Sequence, residues 1–514
     1  MLILITISLL FLTALALLLL RIFLPQFRYS WLLATAGAFF AWVSLFFWQL
    51  DMPLLFALPA WKPEILFGDS PALLADRLSW AYAFSLLTLG LGTLLTSSSD
   101  KNRFAMTGTL SIVAVGMIAV LAKNPLTLVL AWTAIDFAEL ITLLGTLKRS
   151  DLREKAVVAL AVRLLGSGFL LWAGLVSAAA GSSLNFAAVP QRAGIYMLIA
   201  AGLRLGVFPP NLSFGGQAGL RHGYGTLLRF VAVASGLILL ARIPYSSLQS
   251  PLIPYLLGFV SLTALYGAWK WFRASKTQDA RQAWILAMAS LSFAATLRAN
   301  PAGSVAWGVG LILGGGLLFF SSVKKKWLTR LLWVALLTLS ALPFTLTATG
   351  WESKTSLWWG FWLLLIPAQF FLLLGYLNRT RQIRNEDKDE PFVYRMYLFG
   401  MGIMLFSLLL LGFWGWQGAF SVGAWSISAG ILLALALTLW GKSRLRPLSL
   451  PRAHWLQPSA KGKTAFFGSA FWSIYYTLRR LSGQITAILE SDGGILWALL
   501  FLIFFASLLS EGIR

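Results

Sequence analysis

The sequence predicts an all-α polytopic membrane protein with about sixteen transmembrane helices. Hydrophobic residues make up 58% of its 514 residues and charged residues only 11%, a composition that excludes a soluble enzyme. Apolar windows of about 20 residues, the length that an α-helix needs to cross the hydrocarbon core, recur along the chain. Basic residues gather in alternate connections between these windows, which is typical of multi-pass proteins with a fixed orientation.

The apolar windows define the candidate spans in chain order. They lie near residues 1–23, 30–50, 79–98, 104–122, 124–147, 156–180, 194–208, 224–243, 251–272, 282–298, 303–322, 327–349, 356–378, 395–415, 422–441 and 493–510. The first window has no basic segment ahead of it and no small-residue cleavage site before Arg21, so we interpret it as a retained helix. An even number of spans places both termini on one side of the membrane.

The connections between spans fall into two sets of very different charge. One set holds about 30 basic residues and the other about 8. The richer set includes Arg21 and Arg28; Lys101 and Arg103; Lys148, Arg149, Arg153 and Lys155; Lys270, Arg273 and Lys276; Lys324, Lys325 and Lys326; Arg379, Arg381 and Arg384; and a basic block from Lys442 to Arg480. Because cytoplasmic loops carry the excess of Lys and Arg, this set is predicted to be cytoplasmic, with both termini on the outer side of the cell's inner (plasma) membrane. The net charge of +23 then reflects orientation, and no nucleic-acid partner is predicted.

Two interruptions of the apolar pattern predict broken helices. FPPNLSFGGQAG (208–219) follows the seventh span and ALPFTLTATGWESK (341–354) follows the twelfth. Proline and glycine end helices, and irregular backbone at membrane depth is tolerated only where protein buries it or a polar cavity borders it. Broken helices at corresponding places of two halves point to an ion path in a transporter, whereas two ordinary loops are the alternative.

The segment 442–492 is too polar to cross the membrane, yet part of it has helical periodicity. In FFGSAFWSIYYTLRRLSGQITAIL (466–489), aromatic and aliphatic positions alternate with Arg479 and Arg480 at roughly helical spacing. Such a lateral amphipathic helix lies along the membrane interface or against a neighbouring protein. A surface helix without a partner is the alternative.

No set of residues in the sequence suits a cofactor or a metal. Cysteine is absent, which excludes disulfides, Cys-ligated zinc and iron–sulfur clusters, and the two histidines, His222 and His454, lie far apart. There is no Walker motif and no GxGxxG after a strand, and GLILGGGLLFF (310–320) is better explained by close helix packing through small residues. We therefore predict no cofactor and no catalytic site in this chain.

Five charged residues lie four or more residues from either end of a predicted span, where each ionised group costs roughly 2.5–3.5 kcal/mol on insertion scales. Asp136 and Glu139 lie on the fifth span, Arg163 on the sixth, Arg204 on the seventh and Arg229 on the eighth. The two acids are three residues apart and share one helix face, where arginines from three adjoining helices can neutralise them. Arginine stays protonated at physiological pH, so it can hold charge but cannot relay a proton. A structural role and a functional electrostatic role both remain open.

At these residues, and from about residue 70 to 380, the sequence resembles the antiporter-like membrane subunits of respiratory complex I (NADH-quinone oxidoreductase) and of Mrp-type cation/proton antiporters. Asp76-Arg77-Leu78-Ser79 matches before the third helix, and Asn124 and Trp132 match in the fifth. Arg204 and Pro209 match in the seventh helix, and Val233, Gly236, Leu240 and Arg242 match in the eighth. Leu342-Pro343 and Ser353-Lys354 match at the break of the twelfth helix. The basic segment with its lateral helix also resembles, in shorter form, the arm of one complex I subunit.

The polar axis of that family is only partly kept. Its fifth-helix glutamate falls on Thr133, with Asp136 one turn further along, and its seventh-helix lysine is Arg204. Its eighth-helix position falls beside Arg229, and the eleventh helix, VAWGVGLILGGGLLFF, contains no titratable group. The twelfth-helix lysine is kept as Lys354. The proton path that the resemblance implies is therefore interrupted in the middle of this chain.

The resemblance implies a proton- or cation-translocating subunit of a complex I-like or Mrp-like assembly. Its partners would be other membrane subunits, the lipid bilayer, and protons or monovalent cations. The predicted ion path or buried charge network is Asp136, Glu139, Arg163, Arg204, Arg229 and Lys354. Two alternatives stay open. One is a non-conducting structural or coupling subunit with the same fold, and the other an unrelated multi-pass membrane enzyme, for which the loop 51–78 offers acids without a recognisable pattern.

The resemblance also divides the chain into segments, with an inverted repeat and a broken helix in each half. We expect N-terminal helices and an outer loop at 1–103, a first antiporter-like repeat at 104–243 and a second at 251–378. Accessory helices follow at 379–441, then the basic cytoplasmic segment at 442–492 and the final helix at 493–514.

Overall fold

A computed structural model describes residues 2–24, 26–27, 29–57, 70–97, 103–146, 150–182, 185–210, 223–274, 277–322, 326–352, 359–382 and 391–444. Residues 1–438 form one compact unit. Of the described residues, 82% are helical, so the chain is an all-α polytopic membrane protein, as its composition predicts. Lys354, the predicted lateral helix and the sixteenth span lie outside the described residues.

Fifteen α-helices occur in the described ranges, and nine of them are long and apolar enough to cross a membrane. They are α1 Leu2–Phe23, α2 Ser30–Asp51, α3 Arg77–Thr96, α4 Arg103–Val120, α5 Pro125–Thr146, α6 Ser150–Ala179, α7 Gln191–Leu205, α8 Tyr224–Ala241, α9 Ile253–Arg273, α10 Thr277–Leu297, α11 Pro301–Phe320, α12 Lys326–Thr338, α13 Trp362–Gln382, α14 Pro391–Phe413 and α15 Trp425–Arg444. The numbering coincides with that of the first fifteen predicted spans.

The loop between α2 and α3 contains a β-hairpin that the sequence did not predict. Strands β1 (Leu54–Ala57) and β2 (Ala72–Ala75) pair in antiparallel register, with Leu54 opposite Ala75. The hairpin is tied to the end of α4, because the Leu74 amide donates to the Leu121 carbonyl at 2.7 Å. It leads directly into α3, whose first turn is capped by Asp76.

Asp76 serves the fold in two ways. Its Oδ1 accepts from the backbone N–H of Ser79 at 2.8 Å, while the Ser79 hydroxyl accepts from the Asp76 amide at 2.9 Å, which completes a capping box. Its Oδ2 lies 3.2 Å from Nη1 of Arg242, the residue that follows α8. Burial lowers the pKa of Arg242 and the adjacent carboxylate opposes that shift. The D-R-L-S segment therefore ties the start of α3 to the end of α8.

Almost every residue of α3, α8 and α11 is buried, so these three helices form the core. The glycines of α11 allow this packing. A side chain at Gly315 would come within 2.6 Å of the Trp284 ring and 2.8 Å of the Phe230 ring, and one at Gly308 would meet Tyr82. Close helix approach through small residues, as predicted for 310–320, is what the structure contains.

The two helices predicted to be broken, α7 and α12, are the shortest described helices, with 15 and 13 residues. At 1.5 Å per residue they are roughly 20–22 Å long, less than the hydrocarbon core of about 30 Å. Helix α7 ends at Leu205 and is followed by Gly206, whose φ of 66° is left-handed. The prediction that the twelfth span extends to residue 349 is wrong, because α12 ends at Thr338 and the chain continues as turns around Pro343 to a short 3-10 segment, Ala348–Trp351.

Candidate functional site

Helix α5 presents its two acids to the protein interior. Asp136 and Glu139 are 1% and 0% exposed, whereas Phe137 and Ile141 on the opposite face are 63% and 70% exposed. This division follows from helical periodicity, because residues three or four apart share a face. The acids therefore point away from lipid and toward α6, α7 and α8.

Arg163 of α6 contacts both acids with one guanidinium group. Its Nε lies 3.1 Å from Oδ1 of Asp136, and its Nη1 donates to Oε1 of Glu139 at 3.0 Å. The three side chains are at most 2% exposed, so these contacts form in a medium of low dielectric constant, where ion pairs are strong. Arg163 thus joins α6 to two successive turns of α5.

Arg204 of α7 completes the surroundings of Asp136. Its Nη1 donates to Oδ2 of that residue at 2.9 Å, and its Nε donates to the Ser235 hydroxyl of α8 at 3.2 Å. The guanidinium group lies over the ring of Trp132, 4.4 Å from the centroid. Arg204 is in the last turn of α7, where the negative end of the helix dipole favours a cation. A side chain added at Gly166 of α6 would come within 3.1 Å of the Ala200 carbonyl oxygen of α7, so glycine allows these two helices to approach closely.

Arg229 of α8 is the third cation, with its Nη1 3.5 Å from Oε1 of Glu139. The structure therefore brings five of the six predicted site residues together. We call them the charge cluster, which consists of Asp136, Glu139, Arg163, Arg204 and Arg229. Each carboxylate has two guanidinium partners, and every member is at most 2% exposed.

One further cation borders the charge cluster and was missed in the sequence. Arg281 of α10 is 4% exposed, and its Nη1 donates to the Thr226 hydroxyl of α8 at 2.9 Å, one turn before Arg229. Arg281 lies within electrostatic range of Glu139 and Arg229. Arg281 lies near the end of a helix, and an arginine at such a position usually extends its side chain to the membrane–water interface.

The interior beyond α8 contains neutral polar groups. The hydroxyls of Ser292 on α10 and Ser304 on α11 are 2.9 Å apart, and the Thr296 hydroxyl donates to the Leu240 carbonyl of α8 at 3.3 Å. No Asp, Glu, His or Lys occurs between Gln282 and Leu297 or anywhere in α11. Hydroxyl groups can hydrogen-bond a proton carrier but do not ionise near neutral pH.

The break after α12 is braced by side chains from the α10–α11 connection. Asn300 Nδ2 donates to the carbonyls of Thr349 at 2.6 Å and Glu352 at 2.9 Å, and Arg298 Nη2 donates to the Trp351 carbonyl at 3.1 Å. Burial lowers the pKa of Arg298 to about 10. Lys354, the sixth predicted site residue, follows this braced segment but lies outside the described residues.

No known protein-family profile and no curated protein sequence matches the chain. A chain of the Mrp complex from Dietzia sp. DQ12-45-1b is similar in structure, with a TM-score of 0.71, 15% identity and coverage of 100% of this chain and 63% of that one. A chain of an archaeal membrane-bound sulfane sulfur reductase is similar with a TM-score of 0.65 and 15% identity, and the match covers 98% of this chain and 100% of that one. A chain of Thermus thermophilus respiratory complex I with bound NADH has a TM-score of 0.63 and 17% identity, and the match covers 85% of this chain and 100% of that one. The chain has the antiporter-like fold.

The fold confirms the resemblance noted in the sequence. Thr133, where the resemblance places a family glutamate, donates its hydroxyl back to the Leu130 carbonyl at 2.8 Å. Asp136, one turn further along, pairs with Arg204, where the resemblance places a family lysine.

Proposed function

We propose that this chain is a non-conducting membrane subunit of a complex I-like or Mrp-like assembly, in which it holds fixed charge and supports neighbouring subunits. One observation carries the proposal: each carboxylate of the charge cluster faces two guanidinium groups. A carboxylate relays protons by alternating between charged and neutral forms. Guanidinium groups on both of its sides oppose the neutral form, and they cannot accept or release the proton themselves.

Excess positive charge supports the same proposal. Four cations, Arg163, Arg204, Arg229 and Arg281, lie beside the two carboxylates Asp136 and Glu139, so this group of six described residues has a formal excess of two positive charges. A second cation 4 Å from one uncompensated charge would meet a repulsion of about 4 kcal/mol at an effective dielectric constant of 20. Fixed arginines exclude protons and cations from other membrane pores in this way.

The assembly part of the proposal is supported by the outer faces of the chain and by the proteins it is similar to. All three of the similar solved chains come from assemblies that are described as complexes. Large apolar side chains on the outward faces of α5 and α6, such as Phe137 and Trp172, are half-exposed or more. Such faces suit lipid or the helices of a neighbouring subunit.

Translocation of protons or cations by the chain itself is the second candidate. It is favoured by the position of the charge cluster at the end of the short helix α7, and by a second short helix, α12, five helices later. Asp136 and Glu139 would then be the titrating groups, with Lys354 beyond the second break.

Flux measurements separate the two candidates. The full-length chain, reconstituted in liposomes with an internal pH dye, is expected to carry no more protons or sodium under an imposed potential than protein-free liposomes. Asp136→Asn and Glu139→Gln are expected to behave in the same way. Wild-type flux that either variant abolishes, with both variants equally folded, would establish translocation and refute the proposal.

Co-purification tests the assembly separately. A tag on this chain is expected to capture other membrane subunits in mild detergent. A chain that purifies alone and in quantity, from cells that express its neighbours, would contradict the assembly part of the proposal.

A further inference from the structure

A lateral groove of about 540 Å³ lies between α2 and α14, well away from the charge cluster. Its wall is made by Phe39 and Trp42 of α2 and by Phe399, Gly402 and Phe406 of α14, with Arg395 at one end. Phe39, Phe399 and Phe406 are 38%, 53% and 51% exposed, so the groove opens sideways to the membrane. Its volume lies within the range of about 300–1,000 Å³ that is usual for ligand sites.

The groove exists because α2 and α14 are separated along their middle turns. Trp42 Nε1 of α2 donates to the Thr88 hydroxyl of α3 at 2.9 Å, and this hydroxyl lies 3.2 Å from that of Ser407 on α14. Both helices are thus held against α3. They touch each other through aromatic rings at two levels, Trp31 with Phe392 at 6.0 Å and Phe46 with Trp414 at 5.9 Å. Between these contacts the gap remains open.

The depth of the groove corresponds to one leaflet of a bilayer. The lining residues of α14 run from Arg395 to Phe406, eleven residues along the helix and therefore roughly 16 Å at 1.5 Å per residue. Half of the hydrocarbon core is about 15 Å. The helix of a partner protein would need an open face across both leaflets, whereas the rings of Phe46 and of Trp414, the residue after α14, meet at 5.9 Å beyond the groove.

The charge at the end of the groove is suited to a phosphate. Arg395 is exposed, and it makes no ion pair or hydrogen bond with any other residue that the structure describes. It lies in the second turn of α14, after the predicted cytoplasmic connection RTRQIRNEDKDE (379–390), in which four basic residues are balanced by four acidic ones, and thus at the headgroup level of the predicted cytoplasmic leaflet. That leaflet is rich in anionic lipids, and a guanidinium group binds a phosphate in a bidentate manner.

We propose that the groove between α2 and α14 binds one anionic phospholipid of the predicted cytoplasmic leaflet. Its phosphate pairs with Arg395, and one acyl chain lies along Phe39, Phe399 and Phe406 toward the middle of the bilayer. Gly402 leaves room for the chain, since a side chain added there would meet no atom within 4 Å. The proposal is independent of whether the chain conducts ions.

Native mass spectrometry of the full-length chain tests the proposal. The protein is incubated with equal amounts of phosphatidylglycerol and phosphatidylcholine, and the retained lipids are counted. Wild type is expected to keep one phosphatidylglycerol. Arg395→Gln is expected to lower the preference for phosphatidylglycerol about fivefold, the effect of one basic residue at a membrane surface. Gly402→Phe fills the groove and is expected to remove the retained lipid.

Two matched controls are available elsewhere in the chain. Arg330 is also exposed in the second turn of its helix, α12, and Gly430 of α15 likewise has no atom within 4 Å of an added side chain. Arg330→Gln and Gly430→Phe are expected to retain lipid as wild type does. Equal retention by Gly402→Phe and Gly430→Phe, or an unchanged preference in Arg395→Gln, would overturn the proposal. Loss of a co-purifying protein from Gly402→Phe with lipid unchanged would overturn it in favour of a protein partner.

Discussion

Arg163 is the residue on which the charge cluster depends most, because its guanidinium group contacts both carboxylates. Removal of one partner from a buried ion pair costs about 3–5 kcal/mol, since the remaining charge is left uncompensated. We therefore expect Arg163→Met to lower the free energy of unfolding by about that amount. Thermal unfolding of the purified chain in detergent, followed by circular dichroism, measures the loss.

A further variant and a control make this prediction specific. Asp136→Asn and Glu139→Gln, introduced together into Arg163→Met, leave Arg204 and Arg229 buried without the carboxylates that they face, and should lower the stability further. Arg192→Met changes an exposed arginine of α7 and should have little effect. If Arg163→Met and Arg192→Met unfold at the same temperature, the cluster does not stabilise the fold.

Arg204 offers a second prediction, because the resemblance noted in the sequence places a family lysine at this position. Lysine can keep the ion pair with Asp136 but not the stacking on Trp132 together with the Ser235 hydrogen bond. We expect Arg204→Lys to destabilise the chain by about 1–2 kcal/mol. The measurement is chemical or thermal unfolding beside Arg192→Lys, which should match wild type. If Arg204→Lys is as stable as wild type, the positive charge alone accounts for the contribution of this residue to stability.

The charge cluster could be predicted from the sequence because each of its members is costly in a bilayer. Acids three residues apart on one apolar helix need cations nearby, and only three arginines lay four or more residues from the ends of the three spans that follow. Arg281 could not be found in this way, since an arginine near a helix end usually extends to water. Its burial depends on Thr226 and the packing of α8 against α10, which hydropathy does not encode.

At the scale of the helix, α11 depends on glycine at its contacts. A side chain at Gly315 meets Trp284 and Phe230, whereas Gly430 of α15 faces open space. We expect Gly315→Val to cost about 1–3 kcal/mol through overpacking. Gly430→Val should be close to neutral, and the pair can be compared by unfolding temperature in one detergent. Equal stability of the two variants would mean that α11 can shift to accept the larger residue.

The start of α3 provides a test that separates a cap from a charge. Asp76→Ala removes both the capping box and the partner of Arg242, and should cost about 2 kcal/mol or more. Asp76→Asn keeps an acceptor for the Ser79 amide but loses the negative charge beside Arg242. We expect it to fall between Asp76→Ala and wild type in thermal unfolding. If Asn equals Ala, the ion pair rather than the cap accounts for the loss.

Helix existence was predictable, whereas some helix ends were not. Hydropathy reports the polarity of side chains and not the backbone conformation. The apolar stretch around Pro343 was therefore included in a predicted span, although its backbone is irregular. Ala341 and Phe344 have φ near 60°, a conformation that no apolar pattern announces. The β-hairpin was missed for a related reason, because Leu54–Ala57 and Ala72–Ala75 are too short to show a clear alternation.

At the scale of the whole molecule, the distribution of basic residues predicts an orientation that can be tested directly. The chain contains no cysteine, so a single introduced cysteine reports its own location. Ser182 lies in the predicted outer connection between α6 and α7, and Ser322 in the predicted cytoplasmic connection between α11 and α12. A membrane-impermeant maleimide should label Ser182→Cys in intact cells and Ser322→Cys only after permeabilisation. The reverse pattern would invert the orientation.

The order of the charged helices along the chain bears on how the protein is made. Helix α5 leaves the ribosome with two carboxylates, and the first group able to neutralise them, Arg163, follows 24 residues behind Glu139. At roughly 2.5–3.5 kcal/mol for each lone charge, α5 enters lipid poorly by itself. We expect the nascent segment to wait beside the insertion machinery until α6 emerges, so that the two helices pass into the membrane as a hairpin.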